Sequence, residues 1–430
     1  MTKQVVVLGA GMVGVSVAWH LLNRGYAVTV VDRLPPGQET SFGNAGIIQR
    51  EAVRPYAFPR DLATLFRVLP NRAVDIRYRP SSVVRAAHAL LQYWHYSSDK
   101  HYRKLVPEYA ALIVQSLDTH DEMIRSAGAE SLIRKTGYLK LFRTQKALDE
   151  ECTKAASDSR LFGVEFEVLN RQQLTQREPS LSSSVVGAIH WKQPWTVTDP
   201  GALVEAYAAD VKRKGGSIKH ASLTGLTRQG SGWLIQTTIE SLQADQVVMA
   251  MGPWSSYWLD QQGIQVPMFT KRGYHMHYAG EEKSPLNHWV MDAEVGYLLA
   301  PMRAGVRLTT GAELTAVDAP ANQSQLNAAE NVARSLYPLG KRLDAAPWKG
   351  GRPCMPDMKP VIGPAPNQKG LWLACGHGHQ GFTLGPVTGK LLGQMMDEEH
   401  TDIDMHPYRI DRFLAIDNAE DDVYSVCFTS

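Results

Sequence analysis

Cysteine is scarce in this chain, and its four cysteines lie far apart. No C-x-x-C pair occurs among Cys152, Cys354, Cys375 and Cys427, so the sequence indicates neither a zinc site nor a disulfide framework. That spacing favours a reducing, cytoplasmic environment. Long apolar runs are also missing: none reaches the roughly 18 to 20 residues that a bilayer-spanning helix needs, so we expect any membrane contact to be peripheral.

An excess of charge of one sign is absent as well. The 430 residues carry 45 lysines and arginines against 43 aspartates and glutamates, a formal net charge of +2. Because nucleic-acid binding normally requires a basic surface that neutralises several phosphates, we expect no nucleic-acid partner. The apolar run VVVLGAGMVGVSVAW is interrupted by glycines and followed by no small-residue cleavage site, so we expect no signal peptide.

Residues 5–32 are typical of a strand, a glycine turn, a helix and a second strand. Gly9, Gly11 and Gly14 complete the pattern G-x-G-x-x-G directly after a β-branched run. The first glycine permits the tight turn, the second lets a pyrophosphate approach the backbone, and the third lets helix and strand pack closely. Asp32 ends the second strand, where a carboxylate accepts ribose hydroxyls, so the segment predicts a dinucleotide without a 2′-phosphate. A glycine-rich turn in an ordinary βαβ unit is the alternative.

A second glycine-rich segment, residues 376–392 (GHGHQGFTLGPVTGKLL), predicts a loop followed by a helix. Gly376, Gly378 and Gly381 let the backbone approach a flat ring, and the positive end of the helix dipole favours negative charge on that ring. One segment therefore suits a pyrophosphate and the other a reactive ring, which together indicate FAD rather than a diffusing nicotinamide. The small polar loop TSFGNAG at residues 40–46 is either a further phosphate- and ribityl-binding loop or an ordinary surface loop.

Two kinds of structure alternate along the chain, whose composition of 44% apolar and 20% charged residues is that of a globular protein. Dinucleotide-fold character occurs in residues 1–60, 196–262 and 350–430, whereas residues 61–195 and 263–349 carry amphipathic helices and alternating strands. The sequence therefore predicts an α/β fold in which a Rossmann-like FAD-binding domain of the glutathione-reductase type is interleaved with an α+β substrate domain built on an antiparallel sheet.

Individual elements within these segments are also predicted. Apolar spacing favours one helix over residues 105–127, and Asp199 is expected to cap a helix that runs to about residue 214. Strands are expected at residues 138–142, 188–191, 217–226, 246–251, 274–278, 297–301 and 306–309.

Several ordered motifs span the chain: GAGMVG…VVD, ETSFGNAG, GYLKLFRT, AMGPWS, KRGY, YLLAP…RLTTGAE, GRPCMPDMKPVIG and GHGHQGFTLGPVTGKLL. Together they resemble the D-amino-acid oxidase superfamily of FAD enzymes, and within it the bacterial D-amino-acid dehydrogenases more than the glycine and sarcosine oxidases. Some sarcosine-oxidase relatives attach FAD through a cysteine upstream of the aspartate that matches Asp357. A glycine stands near that position here and Cys354 lies too close, so the resemblance implies noncovalent FAD.

The resemblance also implies substrate-binding residues. Arg352, in G-R-P, occupies the position whose guanidinium binds the substrate carboxylate, a task that suits its rigid fork of donors. Tyr297 resembles the tyrosine that hydrogen-bonds the same carboxylate, His379 falls where relatives place a polar or basic residue over the flavin, and Tyr274 shapes the pocket. The alternatives are a structural turn for Arg352, a core aromatic for Tyr297 and a surface loop for His379.

The remaining candidates concern the cofactor. Lys271 and Arg272 either hold flavin charge or are solvated basic residues at the start of a strand. The histidine pairs at 275/277 and 377/379 lack accompanying carboxylate or cysteine ligands, so we expect no metal. The residues expected to bind FAD come from both glycine segments and the strands between them: Gly9, Gly11, Met12, Val13, Gly14, Asp32, Arg33, Thr40, Ser41, Asn44, Ala45, Gly46, Ile47, Leu223, Ala250, Gly252, Trp254, Arg352, Gly376, His377, Gly378, His379, Gly381, Phe382 and Thr383.

The implied reaction is the oxidative deamination of a small amine-bearing carboxylic acid, first of all a D-amino acid. Hydride transfer from Cα to flavin N5 gives an imine that hydrolyses to a keto acid, and orientation supplies up to about 7–11 kcal/mol of the gain. Glycine, sarcosine or an imino acid such as proline or hydroxyproline is an alternative substrate, and the acceptor is O2 or a quinone. A flavin-holding subunit without activity alone is an alternative of another class. Residues 72–109, rich in arginine and aromatic side chains, either cap the substrate domain or rest on the inner face of the plasma membrane.

Overall fold

The computed structural model describes residues 2–280 and 284–413, so Cys427 and the part of the predicted segment 350–430 after residue 413 lie outside the described residues. The helices are α1 (Met12–Asn23), α2 (Leu62–Val68), α3 (Pro80–Arg85), α4 (Ala87–Tyr96), α5 (Asp99–Ile113), α6 (Ser116–Ala127), α7 (Gln145–Phe162), α8 (Arg171–Arg177), α9 (Pro200–Arg213), α10 (Ser255–Asp260), α11 (Ser324–Leu336) and α12 (Gly381–Met396). The strands are β1 (Gln4–Leu8), β2 (Ala27–Asp32), β3 (Ile47–Ile48), β4 (Ile76–Tyr78), β5 (Ile133–Arg134), β6 (Tyr138–Phe142), β7 (Phe166–Asn170), β8 (Gly187–Trp191), β9 (Trp195–Val197), β10 (Ser217–His220), β11 (Leu223–Gln229), β12 (Gly232–Thr237), β13 (Ser241–Ala244), β14 (Gln246–Met249), β15 (Phe269–Tyr278), β16 (Val290–Asp292), β17 (Tyr297–Met302), β18 (Gly305–Thr309), β19 (Ala312–Leu314), β20 (Trp348–Cys354), β21 (Val361–Pro364) and β22 (Leu371–Cys375).

The first sheet is the expected dinucleotide-binding sheet. Its six strands follow the order β10-β2-β1-β14-β22-β21, and all pairs are parallel except β21–β22. The central strand β1 is apolar throughout after its first residue because both faces of a parallel sheet are covered. Helices α1, α9 and α12 bury one face, and the three-stranded sheet β11-β12-β13 buries the other.

The second sheet has ten strands in the order β4-β19-β15-β18-β17-β16-β6-β8-β7, with β20 paired to β15. Its pairs are antiparallel apart from β16–β6 and β19–β4. Helix α11 packs on one face, against Met276, Leu299 and Leu308. The opposite face, which carries Leu298 and Ala300, belongs to the same core as α1 and α12. The predicted mixed α/β fold is thereby confirmed.

Most predicted elements are present, with local differences. Asp199 caps α9, and its carboxylate accepts a hydrogen bond from Ala202 N at 3.0 Å. The single helix predicted over residues 105–127 is two helices, α5 and α6, because both bury apolar residues in the same core and the periodicity passes through the break. The strand predicted at residues 217–226 is likewise two strands, β10 and β11.

The predicted domain boundary at residue 350 falls inside β20, which pairs with β15 of the ten-stranded sheet. Helices α5 and α6, from the segment assigned to the substrate domain, also share a core with α12 of the first domain. Sequence pattern identifies an element but not the sheet that it joins, because pairing is decided by distant residues. The division into interleaved domains stays a prediction with these details added.

Candidate functional site

A cavity of about 1330 Å³ lies between the two sheets. Its walls come from the carboxyl ends of β1, β2 and β14, from the face of the ten-stranded sheet that carries Leu298 and Arg352, and from residues 55–109. Ligand pockets commonly measure about 300–1,000 Å³, so this cavity has room for a dinucleotide and a small second ligand. The opening at strand carboxyl ends is where open parallel sheets bind ligands.

The first glycine turn has the geometry that a dinucleotide requires. Gly9 has a φ of 110°, and a Cβ there would lie 2.3 Å from Ala250 O. A Cβ on Gly14 would lie 1.9 Å from Gly9 O, so helix and strand approach closely at this point. Gly11 borders the cavity, and its nearest neighbour there is the Ser41 hydroxyl, at 3.3 Å from the position of a Cβ. Side chains at Gly9 and Gly14 would clash with the backbone of the turn, and one at Gly11 would enter the space where backbone approaches a pyrophosphate.

Asp32 and the start of α1 lie at the same end of the cavity. The Asp32 carboxylate accepts hydrogen bonds from Ala10 N at 2.6 Å and from Leu34 N at 3.0 Å, which leaves each oxygen with capacity to accept a ribose hydroxyl. Helix α1 begins without a side-chain cap, and Met12 N donates to the Ser41 hydroxyl at 3.0 Å. These residues fit a bound dinucleotide, because the N-terminal turn of α1, where Met12 and Val13 border the cavity, favours an anionic pyrophosphate.

Arg307, which the sequence analysis did not single out, holds the loop at residues 40–46. Arg307 Nη1 donates to Phe42 O at 3.0 Å and to Asn44 O at 2.7 Å. Burial lowers the pKa of Arg307 to about 10. Asn44 also accepts a hydrogen bond from Gly46 N at 2.8 Å, so this loop has a fixed backbone and is not a free surface loop. Arg307 lies within the quoted motif RLTTGAE, the one signal that pointed toward it.

The second glycine loop also borders the cavity. Gly376 and Gly378 have φ values of 76° and 59°, and Gly378 N donates to Pro353 O at 2.7 Å. Gly381 begins α12, whose N-terminal turn borders the cavity through Gly381 and Phe382. The backbone therefore approaches the cavity closely where a flat ring is expected.

Three predicted cofactor-binding residues do not border the cavity: Gly14, Gly46 and Thr383. Gly14 lets α1 pack closely against the turn at Gly9. Gly46 has a φ of 72°, and a Cβ there would lie 2.4 Å from Val197 O. The Thr383 hydroxyl accepts a hydrogen bond from Gln49 N at 3.2 Å. The other residues that the sequence assigned to FAD all border the cavity. The three exceptions shape the backbone around it and do not face it.

Arg352 extends along the face of the ten-stranded sheet that borders the cavity. It is the register partner of Lys271, and its guanidinium lies over Gly273, where a Cβ would be 2.5 Å from Nη2. Nη1 donates to Gly311 O at 2.9 Å. No carboxylate of the described residues lies within ion-pair distance of this guanidinium, and burial lowers the pKa of Arg352. A half-buried fork of donors without a counter-charge is suited to an anionic ligand.

Tyr297 and Tyr274, which the sequence assigned to the substrate site, lie on a different face of the ten-stranded sheet from Arg352. Both border the cavity, but strand alternation places their side chains on the opposite face, in the core that α11 covers. The Tyr274 hydroxyl donates to Glu313 at 2.6 Å. Burial, and then the charge of the adjacent Asp292, raise the pKa of Tyr297. A motif gives a residue's position along a strand, and the strand's register decides which face it occupies.

Other tyrosines, which the sequence did not identify, line the cavity near Arg352. The ring of Tyr56 lies 4.6 Å from that of His379 at an interplanar angle of 66°. Tyr109 borders the cavity from α5, and burial raises its pKa. The hydroxyl of Tyr93 donates to Tyr56 O at 2.5 Å. The only signal for these residues was the density of aromatic side chains in the segment before α6.

His379 borders the cavity as expected and does not lie in an exposed loop. Burial, with the charges of Arg352 and Lys271, lowers the pKa of His379 to about 3, so the imidazole is neutral near pH 7. His377 is hydrogen-bonded to the Thr388 hydroxyl at 2.9 Å. Within the described part of the chain, no three histidine, cysteine or acidic side chains come together as a metal site.

Lys271 and Arg272 face opposite sides of β15 and have different roles. Arg272 is fully buried and binds Glu313 through Nε at 3.1 Å and Nη2 at 2.9 Å, so it is neither solvated nor directed at the cavity. Lys271 borders the cavity, where its Nζ donates to the Tyr93 hydroxyl at 2.9 Å. The expectation of solvated basic residues is therefore wrong for Arg272.

The two-sheet fold, the glycine turns and the cavity define an FAD-dependent oxidoreductase. The chain belongs to the DAO family, described as FAD dependent oxidoreductase, whose profile matches residues 4–395. This confirms the family resemblance, the enzyme class and the cofactor that the motifs indicated.

Relatives extend over the whole chain. It is 27% identical over 423 residues to a D-amino-acid oxidase of Bradyrhizobium diazoefficiens, covering 96% of this chain and 99% of that protein. It is 30% identical over 422 residues to a D-amino acid dehydrogenase of Granulibacter bethesdensis, covering 95% and 99%.

Solved structures share the fold. A glycine oxidase from Geobacillus kaustophilus matches with a TM-score of 0.73 at 20% identity, covering 95% of this chain and 99% of that one. An L-proline dehydrogenase from P. horikoshii matches with a TM-score of 0.74 at 18% identity, covering 96% and 98%. Among the described residues, no helix has both the length and the apolar content to cross a membrane.

Proposed function

We propose that this protein catalyses the FAD-dependent oxidative deamination of a small amino acid, and that the substrate is a D-amino acid. The observation that carries the proposal is Arg352, a guanidinium at the cavity wall with no carboxylate partner among the described residues. The names of full-length relatives at 27% to 30% identity, D-amino-acid oxidase and D-amino acid dehydrogenase, support the choice of substrate.

The chain's own residues bind and orient the substrate. Arg352 binds the α-carboxylate as a fork, and Gly273 beneath it leaves room for the planar head. Tyr56, whose ring packs against His379, hydrogen-bonds the same carboxylate in this proposal. Apolar side chains such as Leu298 and Met291 exclude water from the same wall. When bound, FAD supplies the two-electron acceptor for this chemistry.

The cofactor is proposed to bind noncovalently along the cavity. Asp32 and the turn at Gly9 and Gly11 hold its dinucleotide end, and Gly376 and Gly378 approach its ring. Cys354 and Cys375 both border the cavity, and burial raises the pKa of each thiol, which disfavours the thiolate needed for attachment. Denaturation in acid should release all flavin into solution. Flavin that stays with the precipitated protein would contradict noncovalent binding.

The function is tested by mixing the FAD-loaded protein anaerobically with single compounds. Rapid bleaching of flavin absorbance by a D-amino acid, and not by its L-enantiomer, is the expected result. If only glycine, sarcosine, proline or hydroxyproline bleaches the flavin, that compound is the substrate and the proposed D-amino acid is not. Bleaching by none of them would favour a flavin-holding subunit without activity alone.

Variants of Arg352 test the residue that carries the proposal. Arg352→Lys keeps the charge and loses the fork, whereas Arg352→Ala removes both. We expect Arg352→Ala to retain flavin and to lose about 2–5 kcal/mol in kcat/KM, the usual cost of truncating one partner of a buried charge pair. Arg125→Ala, on an exposed arginine of α6, is the control. Unchanged kcat/KM in Arg352→Ala would contradict the assignment of Arg352 to the substrate carboxylate.

The electron acceptor is proposed to be a membrane quinone. Beside the cavity mouth, Leu62, Phe66 and Leu69 are 70%, 69% and 67% exposed, an apolar surface suited to peripheral membrane contact. Wild type should sediment with lipid vesicles and reduce a quinone analogue faster than O2. Leu62→Ser with Phe66→Ser should abolish sedimentation, whereas Leu161→Ser, on an exposed leucine of α7, should not. Equal sedimentation of all three proteins would contradict the contact.

A further inference from the structure

Two cations lie side by side on the cavity wall. Lys271 and Arg352 are register partners across β15 and β20, and both border the cavity. Side chains directly opposite in an antiparallel pair have Cβ atoms about 4.5–5.5 Å apart, and like charges at such positions repel each other. This arrangement costs stability unless anions occupy the cavity beside it.

No described acidic side chain supplies those anions. The acidic residues that border the cavity are Asp32, Glu39 and Asp75. Asp32 is engaged by backbone N–H groups, Glu39 by Arg33 at 2.7 Å and Asp75 by Arg67 at 2.7 Å. Within the described residues, neither Lys271 nor Arg352 forms an ion pair with a carboxylate. Both charges are therefore available to a ligand.

The two cationic heads are held apart. Arg352 leans over Gly273 and is tied to Gly311 O, toward one end of β15. Lys271 leans toward the other end, with Nζ 4.3 Å from the ring centroid of Tyr93 and 5.5 Å from that of Phe269. An ammonium has three donors, and the Tyr93 hydroxyl takes one of them. The wall thus offers two separate anion-binding points.

We propose that Lys271 forms a second anion subsite and that the preferred substrate is an amino acid with a second carboxylate, of aspartate, glutamate or longer chain length. This rests on the proposed function, in which Arg352 binds the α-carboxylate. The side-chain carboxylate of the substrate then binds Lys271, and a dianion neutralises both half-buried cations at once. Neutral amino acids leave Lys271 uncompensated and bind more weakly.

Binding without turnover tests the subsite by itself. Glutarate and butyrate are titrated into the FAD-loaded protein and followed through the flavin absorption spectrum. We expect wild type to bind glutarate at least 10-fold more tightly than butyrate. Lys271→Met keeps the aliphatic stem against the aromatic rings and should abolish the difference, whereas Lys271→Arg should retain it. Lys349→Met is the matched control, because Lys349 lies on β20 opposite Tyr274, on the other face, and donates to Ala319 O at 3.0 Å.

Turnover provides the second readout. The kcat/KM of wild type for D-glutamate should exceed that for D-glutamine at least 10-fold, and Lys271→Met should reduce this ratio to about one. D-aspartate and D-2-aminoadipate then report the chain length that fits. Equal kcat/KM for acid and amide in wild type, or equal losses for both in Lys271→Met, would overturn the subsite.

The two proposals fail in different ways. A Lys271-dependent preference for glutarate with no D-amino acid oxidised would keep the subsite and reject the proposed function. Oxidation of neutral D-amino acids with no preference for glutarate would keep the function and reject the subsite.

Discussion

Replacing Gly273 with alanine isolates the orientation of one side chain. Gly273 does not have a positive φ, so alanine adopts its strand backbone without strain. Its methyl carbon, however, would lie 2.5 Å from Nη2 and 2.9 Å from Cζ of Arg352. Ordinary contact begins at 3.4 Å, so the guanidinium must move by about 1 Å.

The expected loss follows from that displacement. A misplacement of about 1 Å in a positioning group can cost 10²-fold in rate, which corresponds to roughly 2.7 kcal/mol. The hydrogen bond from Arg352 to Gly311 O, 2.9 Å long, would be weakened at the same time, and hydrogen bonds to charged groups contribute about 1.5–3 kcal/mol. The displacement alone gives kcat/KM about 100-fold below wild type, and complete loss of the hydrogen bond would give roughly 12- to 160-fold.

The assay is steady-state kcat/KM on the substrate that bleaches the flavin, with flavin content measured on the same sample. Gly280→Ala is the control, since its added carbon would meet nothing closer than Val306 Cγ2 at 3.9 Å. In an Arg352→Lys background the methyl has no guanidinium to displace, so Gly273→Ala should cost much less there. An equal cost in both backgrounds would refute the reasoning, because the methyl would then act on something other than Arg352.

Three further perturbations address the cofactor end and the buried histidines. Gly14→Ala places a carbon 1.9 Å from Gly9 O, so purified protein should contain little flavin; a wild-type flavin-to-protein ratio would contradict this. Asp32→Ala should raise the Kd for FAD roughly 10- to 150-fold, because charged hydrogen bonds of about 1.5–3 kcal/mol are lost, and fluorescence titration measures it. Burial lowers the pKa values of His20 and His377 to about 3, from 6.5 in the unfolded chain. Between pH 3 and pH 6.5 the unfolded state binds more protons than the folded state. The contribution of the two neutral histidines to the free energy of unfolding is therefore complete above pH 6.5. It is lost as pH falls, by up to about 1.4 kcal/mol per histidine per pH unit. Urea unfolding should show lower stability at pH 4.5 than at pH 7.5, and equal midpoints would contradict the burial argument.

Local features could be predicted from the sequence where the residues that cause them lie within one short segment. The turn at Gly9 needs a positive φ, and the capping of α9 needs a side-chain acceptor at Asp199. Both requirements are met within a few residues of the chain. For the same reason, the strand before Gly9 and the helix after it were predictable.

The residues that line the cavity near Arg352 could not be predicted from the sequence. Tyr56 and Tyr109 come from a segment without a motif, and only packing against the ten-stranded sheet brings them to the cavity. For Tyr297 and Tyr274 the motifs predicted positions along strands but not the face of the sheet, and the register turned both side chains toward α11. A side-chain period of two means that one residue of register decides the face.

The sequence by itself determined the family, the dinucleotide turn and the G-R-P motif that contains Arg352 late in the chain, because each depends on residues that are neighbours in the chain. Tertiary structure alone decided that Arg352 and Lys271 lie opposite each other without an acidic partner, and that tyrosines from residues 55–109 face them. Strand pairing and burial join residues far apart in the chain, and the charge left unbalanced in the cavity appears only when those residues are together.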